Sequence, residues 1–117
     1  MVTARAVIDD RLCLVELDVE GHAGFSGAGE DLVCSSVSVL TRTAGRVILS
    51  QLKEYCGIRT GGKGSLDLKI FEIPEEKRGW MKGVTEFLLK GLSDLETDYP
   101  AFVKLEITIN EEMIHGS

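Results

Sequence analysis

Residues 21–30, reading GHAGFSGAGE, hold four glycines and no apolar period. Glycine at that density forms a loop, and here it divides a stretch patterned for strands from one patterned for a helix. Before it, residues 2–9 and 12–20 are rich in β-branched and apolar types, with Asp9-Asp10-Arg11 between them. That is the pattern of two strands joined by a tight turn. After it, from Asp31, the apolar residues Val33, Val37, Leu40, Ala44, Val47 or Ile48, and Leu52 recur at three- and four-residue steps. This spacing predicts an amphipathic helix running to about Tyr55 and stopped at Cys56-Gly57.

The rest of the chain reads as strand, helix, strand. Gly61-Gly62-Lys63-Gly64 is a turn, 66–73 alternates as a strand, and Ile58 to Thr60 is a candidate short strand. Pro74-Glu75-Glu76 opens a helix, since proline suits the first turn and carboxylates favour the positive end of the dipole. Trp80, Val84, Phe87-Leu88, Leu92 and Leu95 form its predicted apolar face, ending near Tyr99-Pro100. Gly79, Gly83 and Gly91 each cost about 1 kcal/mol of helix propensity, so that helix depends on packing. Residues 102–110 close the pattern as a strand. The order is ββα(β)βαβ, which predicts an α+β fold with two helices on one face of a mostly antiparallel sheet. A chain of 117 residues without repeats is expected to form a single domain over 1–117.

Charge and cysteine usage exclude several classes. Nineteen acidic residues against thirteen basic ones give a net charge of −6, and the basic residues are scattered. Nucleic acid requires a basic face, so it is not an expected partner, whereas a positively charged peptide suits an acidic body. No continuous apolar run approaches the roughly 20 residues of a membrane span. The first residues are already strand-like, with no basic and apolar leader, so a cytoplasmic location is expected. Three cysteines, Cys13, Cys34 and Cys56, are an odd number without C-x-x-C spacing. They read as free thiols in a reducing compartment.

The chemistry concentrates in Gly21-His22 and Asp31-Leu32-Val33-Cys34. With Asp31 as a capping residue, Cys34 would occupy the third helical position. Free N–H groups and the dipole favour a thiolate there, and the same N–H groups suit an oxyanion. Asp31 opposes this by like-charge repulsion, so a nearby imidazolium is needed to outweigh it. His22 is placed to supply one, because the glycine-rich segment returns the chain from the strand end to the helix start. The roles are then a thiolate nucleophile at Cys34 and a general base, then acid, at His22. Asp31 either orients the imidazole or only caps the helix. The same Val-Cys-Ser-Ser run also reads as small residues packed in a core, where free cysteine is common. Ser38, one turn beyond Cys34, either touches substrate or lets another element pack closely. Phe25 is either a lid residue or a core anchor.

Other glycine motifs fail on their next residues. Gly24 to Gly29 begins a phosphate-loop pattern, but Glu30 and Asp31 stand where lysine and a hydroxyl belong. Leu32 occupies the third glycine position of a dinucleotide fingerprint. His22, Asp31 and Cys34 number three candidate zinc ligands, the minimum for a site.

The segment Gly21-His22-Ala23 … Gly29-x-Asp31-Leu32-Val33-Cys34-Ser35-Ser36-Val37-Ser38-x-Leu40 closely resembles the signature of the ribosomal-processing cysteine protease family, Prp. Length, element order and the late Tyr99-Pro100 before a final strand extend the resemblance over nearly the whole chain. It implies a cysteine endopeptidase that removes a short N-terminal extension from a bacterial large-subunit ribosomal protein. It also implies a homodimer with no metal or organic cofactor. The family's catalytic pair falls on His22 and Cys34, its motif aspartate on Asp31. In this reading the segment between them, with Gly21, Phe25, Gly29 and Ser38, orders around the peptide. The competing expectation is a non-enzymatic dimeric module that assists ribosome assembly.

Overall fold

The computed structural model describes residues 1–21, 28–61 and 64–110, the side chains of Ala28 and Glu30 excepted. Its elements are β1 (Val2–Ile8), β2 (Leu14–Glu20), α1 (Ala28–Leu52), β3 (Cys56–Thr60), β4 (Leu66–Ile70), α2 (Arg78–Asp98) and β5 (Val103–Ile109). Short 3-10 turns at Lys53–Tyr55 and Glu75–Lys77 follow α1 and precede α2. The five strands form one sheet in the order β3-β4-β2-β1-β5. Only the β1–β5 pair is parallel; the other three are antiparallel. The α+β architecture expected from the sequence is therefore the one observed.

Period-two alternation sorts the two sheet faces. Val2, Ala4, Ala6 and Ile8 of β1, Leu17 and Val19 of β2, and Leu66, Leu68 and Ile70 of β4 are buried beneath the helices. Val33, Val37, Ile48 and Leu52 of α1 and Met81, Leu88 and Leu92 of α2 meet them. A leucine buried as fully as Leu68 or Leu88 contributes about 1.5–3 kcal/mol, so this seam dominates the fold's stability. The opposite face carries one charged row across all strands, where register aligns Glu106, Arg5, Asp18, Asp67 and Arg59. Arg5 pairs with Glu20 at 2.7 Å and Glu106 at 3.0 Å, half-exposed contacts that keep this face wetted and add little stability.

Three expectations need correction. The first helix begins at Ala28 instead of at a cap on Asp31, and its regular part ends at Leu52. Cys56 opens β3 instead of ending a helix, and Cys13 precedes β2 instead of lying in it. The face of α2 is centred differently: Met81 and Thr85 are buried while Phe87 is 77% exposed. Thr85 belongs inside because its Oγ1 accepts the Leu14 N–H at 2.8 Å and donates to the Met81 carbonyl at 2.8 Å. By length and mean hydropathy alone, residues 31–55 meet the criterion for a membrane-crossing helix. A search for an unbroken apolar run misses this, because serine, threonine and alanine raise no barrier to the average. In the fold, Val33, Val37, Ile48 and Leu52 turn the inner stripe of that helix to the sheet.

Candidate active site

Gly21 stands where β2 ends, beside the start of β1, since Glu20 pairs with Thr3. Its φ of +87° is left-handed, and a Cβ built there would lie 2.3 Å from the Met1 carbonyl oxygen. Only glycine turns the chain off the sheet at this point without strain. A motif glycine is thus explained by the backbone, directly before His22. His22 and Phe25 themselves lie outside the described residues, as does the expectation of mobility for the glycine-rich segment.

On the far side, α1 carries Asp31, Cys34 and Ser38. Because the helix starts at Ala28, Asp31 is its fourth residue and cannot be its N-cap. Cys34 then falls in the second turn, where the N–H is directed to the carbonyl four residues back. It has no free N–H to offer an oxyanion, and the dipole's effect fades within the first turn. A nucleophilic role for its thiol would therefore depend on a cationic neighbour more heavily than the sequence suggested. Cys34 is half-buried, packed against the core from one side, while Asp31 and the 70%-exposed Leu32 are open. Gly29 is exposed, and a Cβ there would meet nothing within 4 Å.

Ser36 donates to the Leu32 carbonyl at 2.9 Å, the back-bond expected of a helical serine. Ser38 is half-buried and serves close packing. Gly64, with φ +85°, lies so near that an added Cβ would be 2.6 Å from Ser38 Oγ. One turn further, Arg42 Nη2 donates to the Gly61 carbonyl at 3.4 Å. The β3–β4 turn is thus held against the helical face that begins at Cys34. Close packing at Ser38 was one of the two readings the sequence offered, but it did not say which element packs there, and that element is the chain at Gly64. Among the described residues, no three His, Cys, Asp or Glu side chains converge as metal ligands.

The other thiols are placed differently. Cys13 is buried, its Sγ 3.6 Å from the Arg78 carbonyl. Cys56 is half-buried, and burial pushes its thiol pKa up from the ordinary value. All three thiols are free.

A protein-family model, described as cysteine protease Prp, matches residues 1–104. The chain belongs to the cysteine protease Prp family. No curated protein matches it. Among solved structures, SMU.848 from Streptococcus mutans superposes with a TM-score of 0.75 at 22% identity, over 94% of this chain and 96% of that one. An essential ribosomal processing protease Prp from S. aureus, in complex with a substrate peptide, gives 0.75 at 17% identity, over 92% and 100%. The same S. aureus protease with a covalently linked product peptide gives 0.73 at 18%, over 92% and 100%. Such distant likenesses establish the shared fold, and the family match carries the cysteine protease assignment.

Proposed function

We propose that this chain is a cysteine endopeptidase that removes a short N-terminal extension from a bacterial large-subunit ribosomal protein. The Cys34 thiolate attacks the scissile carbonyl carbon, and His22 holds the thiol's proton. The C–N bond breaks as His22 returns that proton to the departing amine, leaving a Cys34 thioester. Water, deprotonated by His22, then hydrolyses the thioester. Asp31, one turn before Cys34, either orients the imidazole or tunes the field at the thiol. The observation that carries this reading is the family match over residues 1–104 joined to a partly exposed Cys34 on α1. The test is incubation with a synthetic peptide spanning the junction in the host's ribosomal protein precursor. Mass spectrometry is expected to find one cut, lost in Cys34→Ala.

Two further parts of the reading concern assembly and place. Phe87 stands proud beside an apolar cleft of about 480 Å³ lined by Leu40, Ala44, Val47, Trp80 and Val84. A projecting ring next to an apolar recess is self-complementary, which supports a homodimer pairing this face with itself. Light scattering is expected to report a dimer that Phe87→Glu converts to monomer. Free thiols support a cytoplasmic location. The competing module that assists ribosome assembly draws support from the second-turn position of Cys34, where the helix itself supplies no activation. An intact precursor peptide after exhaustive incubation would favour it.

A further inference from the structure

The sheet has two outer edges, and they are treated differently. Hydrogen bonds from Val2 N–H to the Phe102 carbonyl and from Asn110 N–H to the Ile8 carbonyl fix the parity of β5. They leave the odd residues of β5 with outward amides. Two of those are occupied: Val103 N–H donates to the Tyr99 carbonyl at 3.1 Å, and Leu105 N–H donates to the Glu96 carboxylate at 2.8 Å. The first half of that edge is plugged by α2 and its C-terminal turn, while the amides of Ile107 and Ile109 lie beyond the plug. On β3, bonds from Gly61 N–H to Ser65 O and from Phe71 N–H to Tyr55 O commit Gly57, Arg59 and Gly61 to β4. The outward N–H and C=O groups are then those of Cys56, Ile58 and Thr60. Among the described residues, the backbone groups of Ile58 and Thr60 have no partner on that side. β3 carries no proline or bulge to blunt that edge, and its one charged residue, Arg59, belongs to the charged row on the sheet face away from the helices.

The open edge also leads somewhere. Gly45 of α1 lies against Ile58, and Ser38 lies against Gly64. Moving along β3 toward its turn is therefore moving along α1 toward Cys34. From Gly45 to Cys34 is eleven helical residues, about 16 Å, which is about five residues of extended chain. We propose that the outer edge of β3 is a docking strand, to which an extended stretch of the substrate polypeptide adds through the backbone groups of Ile58 and Thr60, about three to five residues from the bond delivered to Cys34. The proposal rests on the peptidase reading and adds to it a mode of recognition blind to side chains over that stretch.

Two measurements test it with the same synthetic precursor peptide. In the first, each backbone amide of the peptide is N-methylated in turn. On one side of the scissile bond, two alternate amides are expected to lose about ten-fold in kcat/KM each, through KM, while the amide between them is spared. In the second, amide hydrogen exchange is followed on Cys34→Ala protein saturated with peptide. Protection is expected at Ile58 and Thr60 and not at Ile107 and Ile109. Cleavage by wild type without the alternating pattern, or without protection at Ile58 and Thr60, overturns the docking strand and leaves the activity standing. Neither cleavage nor binding overturns both. Thr60→Pro removes one outward N–H without touching the β4 ladder, and it should raise KM with kcat kept.

Discussion

Cys13 and Cys34 sit in opposite surroundings. Cys13 belongs to a closed polar knot. The buried Asp9 accepts the N–H groups of Arg11 and Cys13 at 3.0 Å each on one oxygen and Arg78 Nη1 on the other. Burial works against the Arg78 charge, but hydrogen bonds to Asp9 and Cys13 outweigh it and hold its pKa above the ordinary value. Arg11 ties the same corner to Glu75 through two bonds of 2.8 and 2.7 Å. Cys34 has no such frame among the described residues: one side on the core, the other open, with Asp31 and Ser35 exposed nearby. Charged groups around a thiol do not by themselves signal reactivity. In the first case they satisfy one another; in the second, Asp31 is exposed and builds no such frame around the sulfur among the described residues.

The largest effect separates the two directly. Cys34→Ala and His22→Ala are each expected to abolish peptide cleavage with unchanged circular dichroism, and the double variant to lose no more than either. Cys13→Ala should cleave normally. Turnover by Cys34→Ala at the wild-type rate would end the peptidase assignment.

The next effect falls on stability. Asp9→Ala leaves a partly buried guanidinium and two N–H groups without their acceptor. Removing one partner of a buried pair costs about 3–5 kcal/mol, and a fall of that size is expected in urea unfolding. Cleavage per folded molecule should stay near wild type. A loss below 1 kcal/mol would mean that the corner is wetter than its geometry implies.

That corner also shows what the sequence could and could not reveal. Strand alternation was legible, because Val2, Ala4, Ala6 and Ile8 each bury on one face and the period states it. The start of α1 was not. Asp31 mimics a capping residue, and Gly27-Ala28-Gly29 reads as loop, yet the helix runs through Gly29. The inward turn of Thr85 depends on the Leu14 N–H, 71 residues away, and Asp9 meets Arg78 across 69. No local pattern carries partners at that distance. In the candidate site, the placing of Cys34 on the first helix was legible from the period, while the Ser38–Gly64 contact required knowing which turn lands on which helix.

Thiol reactivity gives the third test. At pH 6 to 7, iodoacetamide is expected to label Cys34 first and Cys56 later, because burial raises the Cys56 pKa and thins its thiolate. With rising pH, Cys56 labelling should catch up. Cys13 should stay unmodified until the protein unfolds. Peptide mapping at timed intervals checks the order, and equal labelling of all three would erase the contrast between the two neighbourhoods.

The smallest effect is expected from Asp31→Asn, and it separates two roles for that carboxylate. As the fourth residue of α1, Asp31 lies in the first turn, where a carboxylate gains about 0.3–1 kcal/mol from the dipole. Asparagine gives that up, so a small fall in stability is expected whatever else Asp31 does. Asp31 also stands three positions before Cys34, on neighbouring parts of one helical face, where its charge opposes a thiolate. Neutralising it should leave Cys34 labelling as fast as before or faster. If Asp31 only sets this field, cleavage should fall by less than ten-fold. If it orients the His22 ring, asparagine loses the charge that holds the imidazolium, and cleavage should fall about as far as in His22→Ala while labelling also slows. Exposure of the Asp31 side chain favours the first outcome. Measuring labelling and cleavage on the same variant decides it, because the two roles move the labelling rate in opposite directions.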